Sequence, residues 1–290
     1  MWLFLSLVSA LFLSFRRVLD KRLSGKLSFY ALGWAGQFFC LPAAIVLLFF
    51  TPIPDLTTLP FLNFWLPLFI IWFVLYPVQI HFYFKSINEA ELSLVLPLLS
   101  MIPVFNVGIS SLVLREFPSM VGLLGIFAIL VGVFILNKRP GMGLKQYFTK
   151  VAEQRASLYM IIASASIATG STLDKLVIQA SHPLFYNFMN TLGATVVLFV
   201  IATLRKQNDI AAVRKHLPTF LTIGAIYSVS YVAYLVALST GFTSYVVAVR
   251  STNTLIASYI GMLMLGEQRA QNKTAALIVI LLGLFMISQA

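Results

Sequence analysis

Charge is scarce in this sequence, and cysteine and histidine are nearly absent. Only 10% of the 290 residues are charged, against 60% hydrophobic, whereas an ordinary soluble domain carries about a quarter charged residues. So little charge cannot cover a water-facing surface, which argues against a soluble globular domain of this length. The single cysteine, Cys40, lies within an apolar run, so a disulfide framework and a cysteine-based metal site are excluded. His81, His182 and His216 are widely separated, and no nucleophile motif, phosphate loop or metal-ligand spacing occurs. Catalysis therefore finds no support, no cofactor is implied, and ATP cannot drive work from within the chain. Acid is the scarcer charge: 9 Asp and Glu stand against 20 Lys and Arg, a formal net charge of +11. Nucleic acid is nonetheless not the expected partner. The basic residues cluster between apolar runs, where the positive-inside bias of membrane proteins places them.

Long apolar runs are what the sequence has instead. Ten of them are bounded by charge, proline or polar clusters: 2–23, 29–50, 61–85, 92–114, 119–137, 157–176, 184–204, 219–239, 243–265 and 274–289. Most approach or exceed the ~20 residues that cross a ~30 Å hydrocarbon core. No basic region precedes residues 2–15 and no small-residue cleavage site follows them, so they read as a first span rather than a removed leader. The longest polar interruption carries Lys138, Arg139, Lys145, Lys150, Glu153 and Arg155 around Pro140, Gly141 and Gly143. It reads as a basic linker loop, 138–156, between five runs in 1–137 and five in 157–290.

The halves are copies. Residues 83–136 lie over 234–287 without a gap at an offset of 151, sharing Tyr83/Tyr234, Ser93/Ser244, Ser100/Ser251, Leu114/Leu265, Glu116/Glu267, Gly132/Gly283 and Phe134/Phe285. Earlier in each half, Leu19-Asp20-Lys21 matches Leu173-Asp174-Lys175. An odd number of spans per copy forces the second copy to enter the membrane from the opposite side, an inverted-topology repeat. The fold class expected is an all-α polytopic membrane protein of ten transmembrane helices in two inverted five-helix repeats.

Each repeat has a helix ending in a glutamate (Leu114-Arg115-Glu116-Phe117-Pro118; Leu265-Gly266-Glu267), followed by a span with a glycine (Gly132, Gly283). With Lys21 and Lys175 near the ends of the first helices and Pro97 and Pro103 in the fourth, this pattern resembles the EamA family of the drug/metabolite transporter superfamily over essentially the whole chain. The resemblance implies export of amino acids, other metabolites or toxic compounds, with both termini in the cytoplasm. Loop charge points the other way, since the basic residues favour loops 1–2, 5–6 and 7–8 and so put both termini outside.

Arg250 is the most informative residue, because an ionised side chain inside a span must face a cavity or a partner. It begins the polar turn Arg250-Ser251-Thr252-Asn253-Thr254. Arg250 and Asn253 are expected to form one wall of a binding cavity that attracts a carboxylate or phosphate; a buried, fully paired arginine is the alternative. The first run is apolar only as far as Phe15, about 22 Å of helix, so the span continues through Arg16 and Asp20, which share a face. These two read either as a charge relay, with Asp174 a lesser candidate, or as an interfacial ion pair. Tyr227, Tyr231 and Tyr234 fall on one helical face, and tyrosine rings there can meet a cation. Gln79 and His81 in the third run, and Asn187 and Asn190 three apart in the seventh, either line the cavity or bond between helices. Glu116 and Glu267 read as structural, bonding backbone N–H groups at a helix start. Pro97 and Pro103 free carbonyls that only protein or cavity water can satisfy. Gly122, Gly125 and Gly132 permit close helix packing.

Together these features indicate a secondary carrier exporting a small polar metabolite, anionic or amino-acid-like, by alternating access, with protons as a candidate coupling ion. A prokaryotic cytoplasmic membrane is the expected location. The alternatives are a flippase for a lipid-linked headgroup and a non-transporting membrane scaffold.

Overall fold

The computed structural model describes residues 1–24, 26–90, 92–137, 143–265 and 273–290, and among these it contains helices and no strands. In chain order the α-helices are α1 (Trp2–Ser24), α2 (Phe29–Phe38), α3 (Leu41–Leu48), α4 (Leu66–Ile70), α5 (Tyr76–Glu89), α6 (Leu92–Val95), α7 (Ile102–Val113), α8 (Met120–Asn137), α9 (Leu144–Glu153), α10 (Arg155–Ala180), α11 (Pro183–Leu204), α12 (Ile210–Lys215), α13 (Leu217–Thr240), α14 (Thr243–Ser251), α15 (Asn253–Leu265) and α16 (Lys273–Ser288). All ten expected apolar runs are helical. Seven helical runs are long and apolar enough to cross a membrane, while Met120–Leu136 and Thr274–Ser288 are shorter apolar helices. The run from Thr243 to Leu265 is interrupted at Thr252.

Proline explains most of the breaks. Pro42 sits in the first turn of α3, where its missing N–H costs nothing, and separates α3 from α2. Pro67 and Pro77 remove donors from the third run, and π-helical turns, Phe61–Trp65 and Ile71–Leu75, lie just ahead of each α segment. Pro97 lies in a 3₁₀ stretch, Leu96–Met101, and Pro103 in the first turn of α7. Side-chain hydroxyls meet two carbonyls of this broken stretch inside the protein: the Ser100 hydroxyl donates to Pro97 O at 2.6 Å and the Ser164 hydroxyl to Leu98 O at 3.3 Å.

The supposed linker loop contains a helix, α9. Its Tyr147 is fully buried, donates to Leu94 O at 2.9 Å, and has its phenol pushed well above the ordinary range by burial. Phe148 stacks on Phe134 at 6.2 Å. The charges of 138–156 hid this apolar face. On the second–third loop, the Thr57 N–H and hydroxyl both donate to Asp55 and hold its carboxyl below the usual range.

The chain forms two compact units that do not follow the sequence halves. One comprises Met1–Pro77 and Leu173–Thr240, the other Val78–Thr172 and Gly241–Ala290. In the second unit α8 packs on α16 so closely that a Cβ at Gly125 would lie 2.8 Å from Gly283 O, and one at Gly132 would lie 3.0 Å from Ala276 O. Residue number rises along one helix as it falls along the other, so these repeat-equivalent helices run antiparallel, as an inverted repeat requires. In the first unit, α2 and α11 are likewise equivalent and antiparallel. Trp34 meets Phe199 edge to face at 5.2 Å, while just past the C-terminal end of α11 the Ser28 N–H donates to the Asp209 carboxylate at 2.8 Å. Also in the first unit, α1 and α13 join where the Ser230 hydroxyl donates to Ser9 O at 2.8 Å.

Candidate functional site

The first unit holds a connected polar cluster inside otherwise apolar helices. Its hub is Asn190 on α11. The amide oxygen accepts from the Trp72 indole N–H at 3.2 Å, and the amide nitrogen donates to the hydroxyls of Tyr76 at 2.9 Å and Tyr231 at 2.5 Å. The π turn Ile71–Leu75 carries Trp72 and leads directly into Tyr76. Trp72 is received by Gly193, one turn along α11, where a Cβ would stand 2.1 Å from the indole. Both tyrosines only accept from Asn190, and their own hydroxyl protons meet no acceptor among the described residues. Asn187, one turn before Asn190 and 3% exposed, makes no hydrogen bond among the described residues. The cluster therefore presents two unspent phenolic donors and an unspent amide, on the buried Tyr231 and Asn187 and the half-buried Tyr76, inside a span where unpaired polar groups are costly.

Asp174 on α10 adds a carboxylate. It accepts from Tyr186, which is fully buried, and from Tyr234, 1% exposed, at 3.2 Å. Tyr227, Tyr231 and Tyr234 stack in series along α13 with centroids 5.6 and 5.9 Å apart. At one end of the stack the Arg16 guanidinium lies 3.6 Å over the Tyr227 ring, and its Nε donates to Asp20 at 3.2 Å. On its other side Gly36 leaves it room, since a Cβ there would meet Nη2 at 3.1 Å. A carboxylate and an aromatic face together offset the cost of placing this arginine in a span.

The structure thus brings together Tyr231 with Asn190, and Arg16 with Asp20 and Tyr227. Asp20, 36% exposed, is the more open of the two repeat-matched aspartates; Asp174 is 9% exposed. Arg250, Asn253, Gln79 and His81 belong to the second unit. There Arg250 is half-buried, and its carbonyl accepts from the buried Asn253 amide at 2.6 Å. Gln79 and His81 are half-buried on α5. The buried Glu116 accepts from the Thr243 N–H at 2.7 Å, so it serves the start of α14 in the other repeat. Glu267 lies outside the described residues.

Trp72 and Tyr186 were not singled out from sequence. A signal existed for each: Trp72 precedes Tyr76 by four residues, and Tyr186 precedes Asn190 by four, the spacing that shares a helical face.

Among curated proteins none matches this sequence. A solved crystal structure described only as that of a protein matches with a TM-score of 0.74 at 12% identity, covering 99% of this chain and 96% of the other. That likeness establishes the fold. The sequence model of the EamA-like transporter family matches residues 1–138 and 154–289, one match to each repeat. The chain accordingly belongs to the EamA-like transporter family and is a membrane transporter of the drug/metabolite type.

Proposed function

We propose that this transporter is a secondary carrier that exports a small polar metabolite by alternating access, from a prokaryotic cytoplasmic membrane. The observation that carries this reading is the set of unspent groups around Asn190: the hydroxyl protons of Tyr76 and Tyr231 and the amide of Asn187. Nothing in the packing of apolar helices calls for donors without acceptors, whereas a polar solute entering the site would satisfy them and repay its own dehydration. In the second unit the same reading gives Arg250 and Asn253 the task of attracting a carboxylate or phosphate, with Gln79 and His81 contributing further hydrogen bonds.

The coupling ion in this reading is a proton taken by Asp174. Tyr186 and Tyr234 donate to it, Tyr76 and Tyr231 lie within electrostatic reach, and Lys175 follows it in the chain. A carboxylate inside a span exchanges charge for hydrogen bonding at low cost only when such donors surround it.

The test is counterflow in proteoliposomes, with a panel of amino acids, organic acids and phosphorylated metabolites. Wild type is expected to exchange at least one of them. Asn187→Leu and Tyr231→Phe should each lose most of that exchange, and Asp174→Asn should keep exchange but no longer respond to a pH gradient. Exchange unchanged in both Asn187→Leu and Tyr231→Phe overturns the assignment of the site.

A further inference from the structure

A second feature of the first unit is unused by the transport reading. A hollow of ≈ 250 Å³ is lined by Tyr30, Pro77, Ile201, Leu204 and Arg205. It is smaller than the roughly 300–1,000 Å³ of a metabolite pocket. Its apolar wall runs on into a stripe of α11 on which Val196, Val200 and Leu204 are 52%, 48% and 78% exposed. In a span, such a stripe faces acyl chains. At the end of the stripe the Arg205 guanidinium is held over the Tyr30 ring at 5.1 Å. Among the described residues Arg205 has no carboxylate partner and no side-chain hydrogen bond, so its fork of donors is unspent.

The loop that carries it is pinned. The Ser28 hydroxyl donates to Gln207 O at 2.6 Å, the Trp34 indole N–H to Asn208 O at 3.1 Å, and the Ser28 N–H to Asp209 at 2.8 Å. Asp209 is the one acid of the loop against Arg205 and Lys206, so the loop keeps a net positive charge. An apolar stripe ending in an aromatic-held guanidinium is the arrangement that receives a phosphodiester whose tails stay in the bilayer.

We propose that the Tyr30–Arg205 hollow is a binding site for an anionic phospholipid, with Arg205 on the headgroup phosphate and the acyl chain along Val196, Val200 and Leu204. Charge complementarity selects anionic over zwitterionic lipid, because an ammonium in the headgroup competes with Arg205 for the phosphate. The test uses the full chain in detergent, titrated with phosphatidylglycerol or phosphatidylcholine and read by native mass spectrometry. Wild type should retain phosphatidylglycerol in preference, and Arg205→Gln should cut that preference roughly fivefold, the worth of one basic group at an anionic surface. Arg214→Gln, an exposed cation on α12 outside the hollow, should leave it nearly intact. Inorganic phosphate at millimolar concentration should not displace the lipid. Equal retention of the two lipids by wild type, an unchanged preference in Arg205→Gln, an equal loss in Arg214→Gln, or displacement by phosphate each overturns the site. Arg205 is exposed, so its replacement leaves folding intact, and the circular dichroism of the variant verifies this.

Discussion

Replacing Asn190 with leucine removes three hydrogen bonds without much change of volume. Interhelical bonds in membrane proteins average about 0.6 kcal/mol and reach about 1.7, so three are worth about 2 kcal/mol. The Trp72 indole N–H, which donates only to Asn190, is left without an acceptor, a cost of about 1–3 kcal/mol by itself. The two tyrosine hydroxyls lose a donor but can rotate. Offset by the apolar gain of leucine, the expected destabilisation is about 2–3 kcal/mol. At roughly 2 °C per kcal/mol for a chain of this size, that lowers Tm by about 4–6 °C, read by intrinsic fluorescence during thermal unfolding in detergent. Asn190→Asp behaves differently because of the unspent phenolic protons. Its carboxylate keeps the Trp72 bond, and Tyr76 and Tyr231 reverse roles and donate to it. Its loss should be less than half that of leucine. Trp72→Phe combined with Asn190→Leu completes a cycle whose coupling should be about 0.6–1.7 kcal/mol. Additive losses, or an aspartate as harmful as leucine, would refute the network.

Four further outcomes are expected. Gly193→Ala should act through Trp72, since a Cβ 2.1 Å from the indole forces a shift of about 1 Å or more and breaks the bond to Asn190; its Tm loss should shrink in Trp72→Leu. Gly125→Val should abolish recovery of monodisperse protein on size-exclusion chromatography, because the clash is with the backbone at Gly283 and no rotamer relieves it. Glu116→Ala should cost about 1.5–3 kcal/mol, the worth of a charged hydrogen bond, whereas Glu116→Gln keeps an acceptor for Thr243 and should cost less than half as much by thermal unfolding. The raised Tyr147 phenol favours the folded state below the unfolded value near 10. Wild-type stability should therefore fall between pH 9 and 11 more steeply than that of Tyr147→Phe, which has already lost the bond to Leu94.

The architecture was legible because lipid imposes a simple rule on sequence: an apolar run in a membrane has to be helical, and all ten runs are, seven of them long and apolar enough to cross. Gly125 and Gly132 were likewise read as permitting close packing, and they lie in the α8–α16 seam. The helix in 138–156 was not legible, since one buried tyrosine and one stacked phenylalanine are a weak signal amid basic residues. At the site, Asn190 and Tyr231 were picked as polar groups inside spans, but their shared bond joins residues far apart in sequence, which no local pattern encodes. Asp20 and Asp174 are identical in the repeat, and only packing makes one a half-buried partner of Arg16 and the other a buried acceptor for two tyrosines.

The glycine seam between α8 and α16 bears on the ancestry of the chain. In the register that aligns the two repeats, residue 125 corresponds to 276 and residue 132 to 283. The contact of Gly125 with Gly283 is therefore the same contact as that of Gly132 with Ala276, written once from each repeat. A single ancestral repeat bearing this pair of positions could meet an upside-down copy of itself twice over, with one substitution felt at two places. In this chain the two places differ, glycine facing Gly125 and alanine facing Gly132, an asymmetry that only a seam encoded twice in one chain can hold.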